Sequence, residues 1–336
     1  MKRFFLSVFL MTVLAAGAFS QDSLDQRVAI VNYSKTENIT RKQLDNTMEV
    51  LKRSGIDKSE QEVLEVMVED VLLRQGAEKE GIQVSEAEVL SMVRKELGAE
   101  PNVPDDKIKE FIAQRMGVSW NVYADKIKTT MAMQSFVRKV KGTKLANIPA
   151  PTQDEIRRFY DENTKQFFLP KSVKLDHIYV DTRSLNTADA QKARERIDGY
   201  SKQIGSKSSE FDKLVEFSDD SASKYNNGRF GTIRIDDARQ RKFMGDEFFD
   251  KVFAMKKGEI SPVIKSTVGF HIVRVVDVME PRLLDINEKL SEEQNVTVRD
   301  RISQYLTEKK KDVVFKDCVK ELTNELKKKA SIKYFL

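Results

Sequence analysis

Val173-Lys174-Leu175-Asp176-His177-Ile178-Tyr179-Val180 is the stretch that decides how the chain is read. Val173, Leu175, His177 and Tyr179 alternate with Lys174, Asp176, Ile178 and Val180, the period of a β-strand. A second, apolar strand is expected at residues 268–276, where His271 shares a face with Val273 and Val275. Between them the pattern predicts helices at about 188–204 and 211–217, a loop at 218–231 and a helix-rich stretch at 246–255. This β-α-α-turn-α-β order implies an α+β domain of roughly a hundred residues, a small antiparallel sheet flanked by helices.

The whole chain contains two histidines, one on each expected strand. If those strands are neighbours, the two imidazoles meet in the middle of a sheet. Pattern alone leaves two readings open, a pair of satisfied structural histidines or a site. A zinc site would need about four ligands, and beyond His177 and His271 there is no further histidine and only the lone Cys318. The residue count therefore argues against a zinc site.

Working towards the N-terminus, Ile148-Pro149-Ala150-Pro151 reads as a linker, and Thr152 with Glu155 forms a capping box opening a helix to about residue 168. Residues 40–145 read as helical, with capping boxes at Thr40/Gln43, Ser59/Glu62 and Ser85/Glu88. Residues 28–32 read as a short strand. Towards the C-terminus, helix is expected at about 291–329, then a strand at 332–336. An isolated short strand is not stable alone, so 28–32 and 332–336 are expected to pair. The fold class is then multidomain, an α-helical module plus the α+β domain inserted within it. The boundaries read as 1–20, 21–150, 151–171, 172–280 and 281–336.

Residues 1–20 read as an export signal: Lys2 and Arg3 precede the apolar run 4–19, and Ala18-Phe19-Ser20 suits cleavage before Gln21. No cysteine near that point offers a lipid acceptor, and no later stretch has the apolar length of a membrane span. Without Lys2 and Arg3 the chain has 56 basic against 53 acidic residues. That mixed charge argues against a nucleic-acid partner, and stable membrane insertion is not expected either. One cysteine excludes an internal disulfide framework.

Residues 173–276 resemble the parvulin prolyl isomerases. The resemblance is carried by Asp176-His177-Ile178-Tyr179-Val180, by the run 210–220 ending in Ser218-Asp219-Asp220, by Asn227-Gly228-Arg229-Phe230-Gly231, by residues 248–255, by Lys257-Gly258-Glu259-Ile260-Ser261-Pro262-Val263 and by Gly269-Phe270-His271-Ile272-Val273. It implies catalytic roles for His177, Asp220 and His271, an apolar proline pocket of Met244, Phe248 and Phe253, and a reaction that needs no metal and no organic cofactor. The chain departs from the family at Asn227, at Arg229, where an acidic residue is usual, and at Val268, where some relatives carry a hydroxyl. The helical module, through residues 28–32, 68–85 and 330–334, looks like that of SurA-type periplasmic chaperones. The resemblances together imply a periplasmic folding factor whose partners are unfolded exported polypeptides, outer-membrane proteins among them, and which isomerises X-Pro bonds. The alternative is a holdase whose parvulin domain only binds extended chains. Met48, Met67, Met92, Met116, Met131 and Met133 would supply either an adaptable client surface or ordinary core filling.

Overall fold

The computed structural model describes residues 26–205, 207–290 and 295–336; the export segment expected at 1–20 lies outside them. The chain folds as two compact units, one running to Ala150 and resuming at Leu306–Leu336, the other Pro151–Tyr305.

In the first unit β1 (Arg27–Asn32) is the middle strand of a three-stranded antiparallel sheet, between β2 (Thr36–Thr40) and β9 (Ser331–Tyr334). Ala29 lies opposite Tyr334 and Asn32 opposite Ser331. Residue patterns give no strand at β2; its single apolar residue, Ile39, offers no alternation, and pairing with β1 makes it a strand. The helices are α1 (Arg41–Arg53), α2 (Glu60–Lys79), α3 (Glu86–Leu97), α4 (Asp105–Met116) and α5 (Trp120–Ala146). The boxes at Thr40, Ser59 and Ser85 form reciprocally, each side chain accepting from the N3 amide while the N3 side chain accepts from the cap amide. Leu64, Val68 and Leu72 of α2 build one apolar core with Phe136 of α5 and with Leu322 and Leu326 near the C-terminus. Met67 and Met133 are buried in that core and Met48, Met92 and Met131 pack partly buried, so of the six methionines only Met116 is exposed.

Deleting residues 331–336 removes β9 and leaves one side of β1 unpaired. With about four backbone hydrogen bonds lost, a drop of about 2–4 kcal/mol in the stability of this unit is expected. Trp120, the chain's single tryptophan, lies in this unit, so fluorescence-detected urea unfolding measures it. An unchanged midpoint would show that β9 contributes nothing to the module.

A polar cluster ties α2 to the β1–β2 turn. Gln75 is fully buried; its Oε1 accepts from the Tyr33 and Ser34 amides at 3.1 Å, and its Nε2 donates to Glu37. Arg74 donates to both Glu37 oxygens, at 3.2 and 2.5 Å. Asp70, one turn before Arg74, is pushed up to about 6 by burial, against the pull of Arg74 and with a push from Glu37. A carboxyl whose folded pKa exceeds its unfolded one binds more protons folded, so its burial costs nothing at low pH and its full amount above pH 6. Asp70→Asn is therefore expected to stabilise the unit by about 2 kcal/mol at pH 7.5 and by about a third of that at pH 4.5. The same urea titration at the two pH values checks this, and an equal effect at both would refute it.

The second unit opens with α6 (Gln153–Glu162), capped by Thr152 as expected. Its sheet has the order β5-β4-β7-β6, all antiparallel: β5 (Arg229–Arg234), β4 (Ser172–Asp181), β7 (Gly269–Met279) and β6 (Ile264–Lys265). β4 is buried on both faces. Val173, Leu175 and Tyr179 pack with Phe248, Phe249 and Val252 of α11 (Asp246–Ala254). Ile178 and Val180 pack with Ala193 and Ile197 of α7 (Thr187–Ile204) and Phe211 of α8 (Ser208–Leu214). The region read as a loop at 218–231 holds a short α9 (Ser221–Lys224) and the start of β5, and α10 (Ala238–Met244) precedes α11. The unit extends past 172–280 at both ends: β3 (Phe168–Leu169) pairs with β8 (Arg282–Leu283), and the Tyr160 hydroxyl donates to the Leu284 carbonyl at 2.6 Å. The last helix, α12 (Val298–Lys329), starts later than about residue 291.

Candidate active site

His177 and His271 sit on the two central strands of the second sheet. The register sets His177 opposite Val273 and Tyr179 opposite His271, so the histidines are diagonal neighbours on one face. Their Nδ1 atoms are 3.3 Å apart. His177 Nε2 lies 2.9 Å from Asp220 Oδ2 and 3.0 Å from Ser223 Oγ, while His271 Nε2 lies 2.8 Å from Ser266 Oγ. Tyr179 stacks on His271 at 4.8 Å, Phe230 tilts onto His177 at 4.8 Å, and Phe248 presents its edge to His271 at 5.0 Å.

The turns hold these groups. Asp220 caps α9 with its Oδ1 accepting from the Ala222 amide at 3.1 Å. The preceding residues are stitched to β4, the Ser218 hydroxyl accepting from the Tyr179 amide and the Asp219 amide donating to the Tyr179 carbonyl. The Gly228 carbonyl accepts from the His177 amide at 2.7 Å. A Cβ at Gly228 would meet Val215 Cγ2 at 2.9 Å, and its φ is +79°, so the strand edge closes on the site only with glycine there. On the other side Ser266 accepts from the Val268 and Gly269 amides, and Tyr179 donates to the Val268 carbonyl at 2.7 Å.

The protonation pattern follows from these contacts. Burial holds His177 below its ordinary value against the pull of Asp220, and burial together with His177 pushes His271 down to about 3. Both rings are neutral near pH 7. Burial raises the Asp220 carboxyl, but hydrogen bonds from His177 and Ser223 outweigh it, so Asp220 sits below the usual carboxylate range. An ionised carboxylate only accepts, so His177 carries its proton on Nε2 and accepts at Nδ1. His271 then donates from Nδ1, and its bare Nε2 accepts from the Ser266 hydroxyl. One chain of donors runs from Ser266 through His271 and His177 to Asp220. Every ring nitrogen is occupied within it, which leaves no imidazole lone pair for a metal ion.

Of the six expected residues, His177, Asp220 and His271 are joined by hydrogen bonds. Met244, Phe248 and Phe253 are buried in the apolar cluster on the same sheet face. Phe248 reaches His271 directly, whereas the Phe253 ring contacts Phe249 at 5.6 Å, one layer further off. Residue patterns missed Ser223 and Ser266. The only hint of Ser266 was a serine three residues before Gly269 at the mouth of a hairpin. Val268 removes no hydroxyl from the pair, because Ser266 supplies it.

The other two departures also lie off the histidines. Asn227 adopts φ 52°, which asparagine tolerates better than other side chains. Arg229 does not stand beside the site: it lies opposite Asp176 in the register, and Asp176 is held by Arg274 on the face packed by Phe211. Arg229→Asp is therefore expected to leave isomerase activity within about twofold, since a mostly exposed charge on the far face is screened. A severalfold gain on a short X-Pro peptide would show that the charge does reach the site.

Residues 151–288 match the family described as PPIC-type PPIASE domain. The foldase protein PrsA of Caldanaerobacter subterraneus subsp. tengcongensis is 27% identical over 281 residues, covering 83% of this chain and 72% of the relative. The chaperone SurA of Methylococcus capsulatus is 25% identical over 217 residues, covering 64% of this chain and 45% of the relative. A solved structure described with two SurA-like chaperones of Campylobacter jejuni aligns at a TM-score of 0.39 and 20% identity over 75% of this chain and 96% of that one. Residues 151–288 are a parvulin-type peptidyl-prolyl isomerase domain, and the chain that carries them is similar to PrsA foldases and SurA chaperones.

Proposed function

We propose that this chain is an exported, periplasmic folding factor that holds unfolded polypeptides, outer-membrane proteins among them, and isomerises their X-Pro bonds at His177, Asp220 and His271. The observation that carries the site is the neutral, buried imidazole pair, with Phe248 against His271 and an ionised, partly exposed Asp220 on His177. Rotation about an X-Pro amide has a barrier of about 18–20 kcal/mol, set by resonance that places negative charge on the carbonyl oxygen. In the twisted state that charge separation is lost. A dry site backed by the buried Met244 and Phe248, with neutral imidazoles, favours the less polar twisted amide over the planar one. A carboxylate near the carbonyl oxygen disfavours the planar resonance form further. No covalent intermediate is needed.

The holding role is assigned to the first unit, where Phe111, Met116, Val118 and Val122 are exposed around the turn between α4 and α5. Export rests on Lys2, Arg3 and the apolar run after them. Among the described residues no helix is long and apolar enough to cross a membrane. The test is the cis-to-trans rate of a short X-Pro peptide with the full chain, beside its suppression of aggregation of an unfolded outer-membrane protein. A rate at the uncatalysed background would leave only the holding role, and no suppression would remove that.

A further inference from the structure

The proton on His177 Nε2 has two acceptors, Asp220 Oδ2 at 2.9 Å and Ser223 Oγ at 3.0 Å. They differ in freedom. The Asp220 side chain is 30% exposed, whereas Ser223 is 1% exposed. The Ser223 hydroxyl has acceptors for its own hydrogen on Asp220, the carboxylate and the carbonyl 3.3 Å away, which leaves its lone pairs for the imidazole. A polypeptide entering the site brings backbone N–H donors, and Asp220 is the ionised acceptor exposed to meet them.

Building on the reading of His177, Asp220 and His271 as the site, we infer that Ser223 is a positioning residue that keeps the proton on His177 Nε2 while the Asp220 carboxylate is engaged by substrate. Without it, a departing carboxylate leaves Nε2–H with no partner in a buried position. His177 would then move to its other tautomer, which turns the Nδ1 contact with His271 from donor-acceptor into donor-donor. His271 would have to shift its proton to Nε2 and Ser266 to become the acceptor. The pair would populate two arrangements instead of one. Ser223 and Asp220 are both set by the same short helix, with Asp220 at its cap and the Lys224 amide donating back to the Asp220 carbonyl at 2.9 Å, so the two acceptors arrive at Nε2 together.

The chain's two histidines make the test direct. In full-length protein labelled with 15N-histidine, the ring shifts report each tautomer without turnover. Wild type and Asp220→Ala are expected to show His177 protonated at Nε2, and Asp220→Ala/Ser223→Ala a mixture of tautomers. In the peptide assay Ser223→Ala is expected to lower kcat severalfold with KM little changed. The double variant is expected to lose at least about fivefold more than the product of the two single losses, because each acceptor backs up the other. If Asp220→Ala alone moves the proton to Nδ1, or if the losses simply multiply, Ser223 does not hold this tautomer. A wild-type chain with no isomerase activity would overturn the enzyme reading instead, and the spectra of Asp220→Ala still decide the tautomer.

Discussion

His271→Ala is expected to reduce isomerase kcat/KM on a short X-Pro peptide by about a hundredfold, and His177→Ala by a similar factor, with the double variant hardly worse than either. The two rings act as one hydrogen-bonded unit, so removing one already spoils the other. In His271→Ala, His177 Nδ1 faces an empty site and the Ser266 hydroxyl is left with only the Gly269 carbonyl to donate to. Losses that multiplied in the double variant would mean two independent contributors, and losses under about threefold would mean structural histidines after all. The pH dependence adds a second reading. Both folded pKa values lie below the ordinary 6.5, His271 at about 3. Wild-type activity is therefore expected to be flat from pH 7 to 8. Unfolded imidazoles bind protons below about 6.5 that the folded rings refuse, so this pair's contribution to stability is present above that pH and is lost as pH falls. A bell-shaped rate profile centred near pH 6.5 would contradict the neutral pair.

How much of this was legible beforehand depends on the range of each interaction. The helix starts at Thr40, Ser59, Ser85 and Thr152 were legible because a capping box spans only three residues. The strand at 172–181 was legible as a strand, yet its faces were not, because helices cover both and the polar members of the alternation, Asp176 among them, are buried as well. The histidine pair was legible as two rings on two strands. Its diagonal offset was not, since a register shift between Lys174 and Leu175 sets it. β5 reads Arg-Phe-Gly-Thr-Ile-Arg, a segment with two basic ends and a glycine that becomes a strand only by pairing with the open edge of β4. Ser223 and Ser266 reach the rings through turns whose geometry no periodicity records. The sign of the charge at Arg229 was legible, but the face it occupies was not, and that face is what removes it from the site.

Phe248→Ala is the change expected to cost the second unit most. The side chain is fully buried, its edge lies 5.0 Å from His271, and the Phe230 and Phe249 rings lie 6.3 and 6.4 Å away. Truncation removes the transfer energy of the ring and leaves a cavity beneath the imidazoles, for a loss of about 3–5 kcal/mol. Trp120 lies in the other unit, so the measurement is hydrogen exchange of the β4 and β7 amides, which report the sheet that Phe248 supports. Stability and chemistry must then be separated, since a loosened sheet also loses activity. Phe248→Leu keeps most of the volume and is expected to cost about 1–1.5 kcal/mol, leaving the sheet intact. It removes the aromatic edge under His271 and part of the site's apolar backing. If that backing grips the proline ring, Phe248→Leu raises KM for the X-Pro peptide severalfold while exchange protection stays near wild type. Unchanged kinetics in a folded Phe248→Leu protein would assign Phe248 to the core alone and leave the proline to be bound elsewhere.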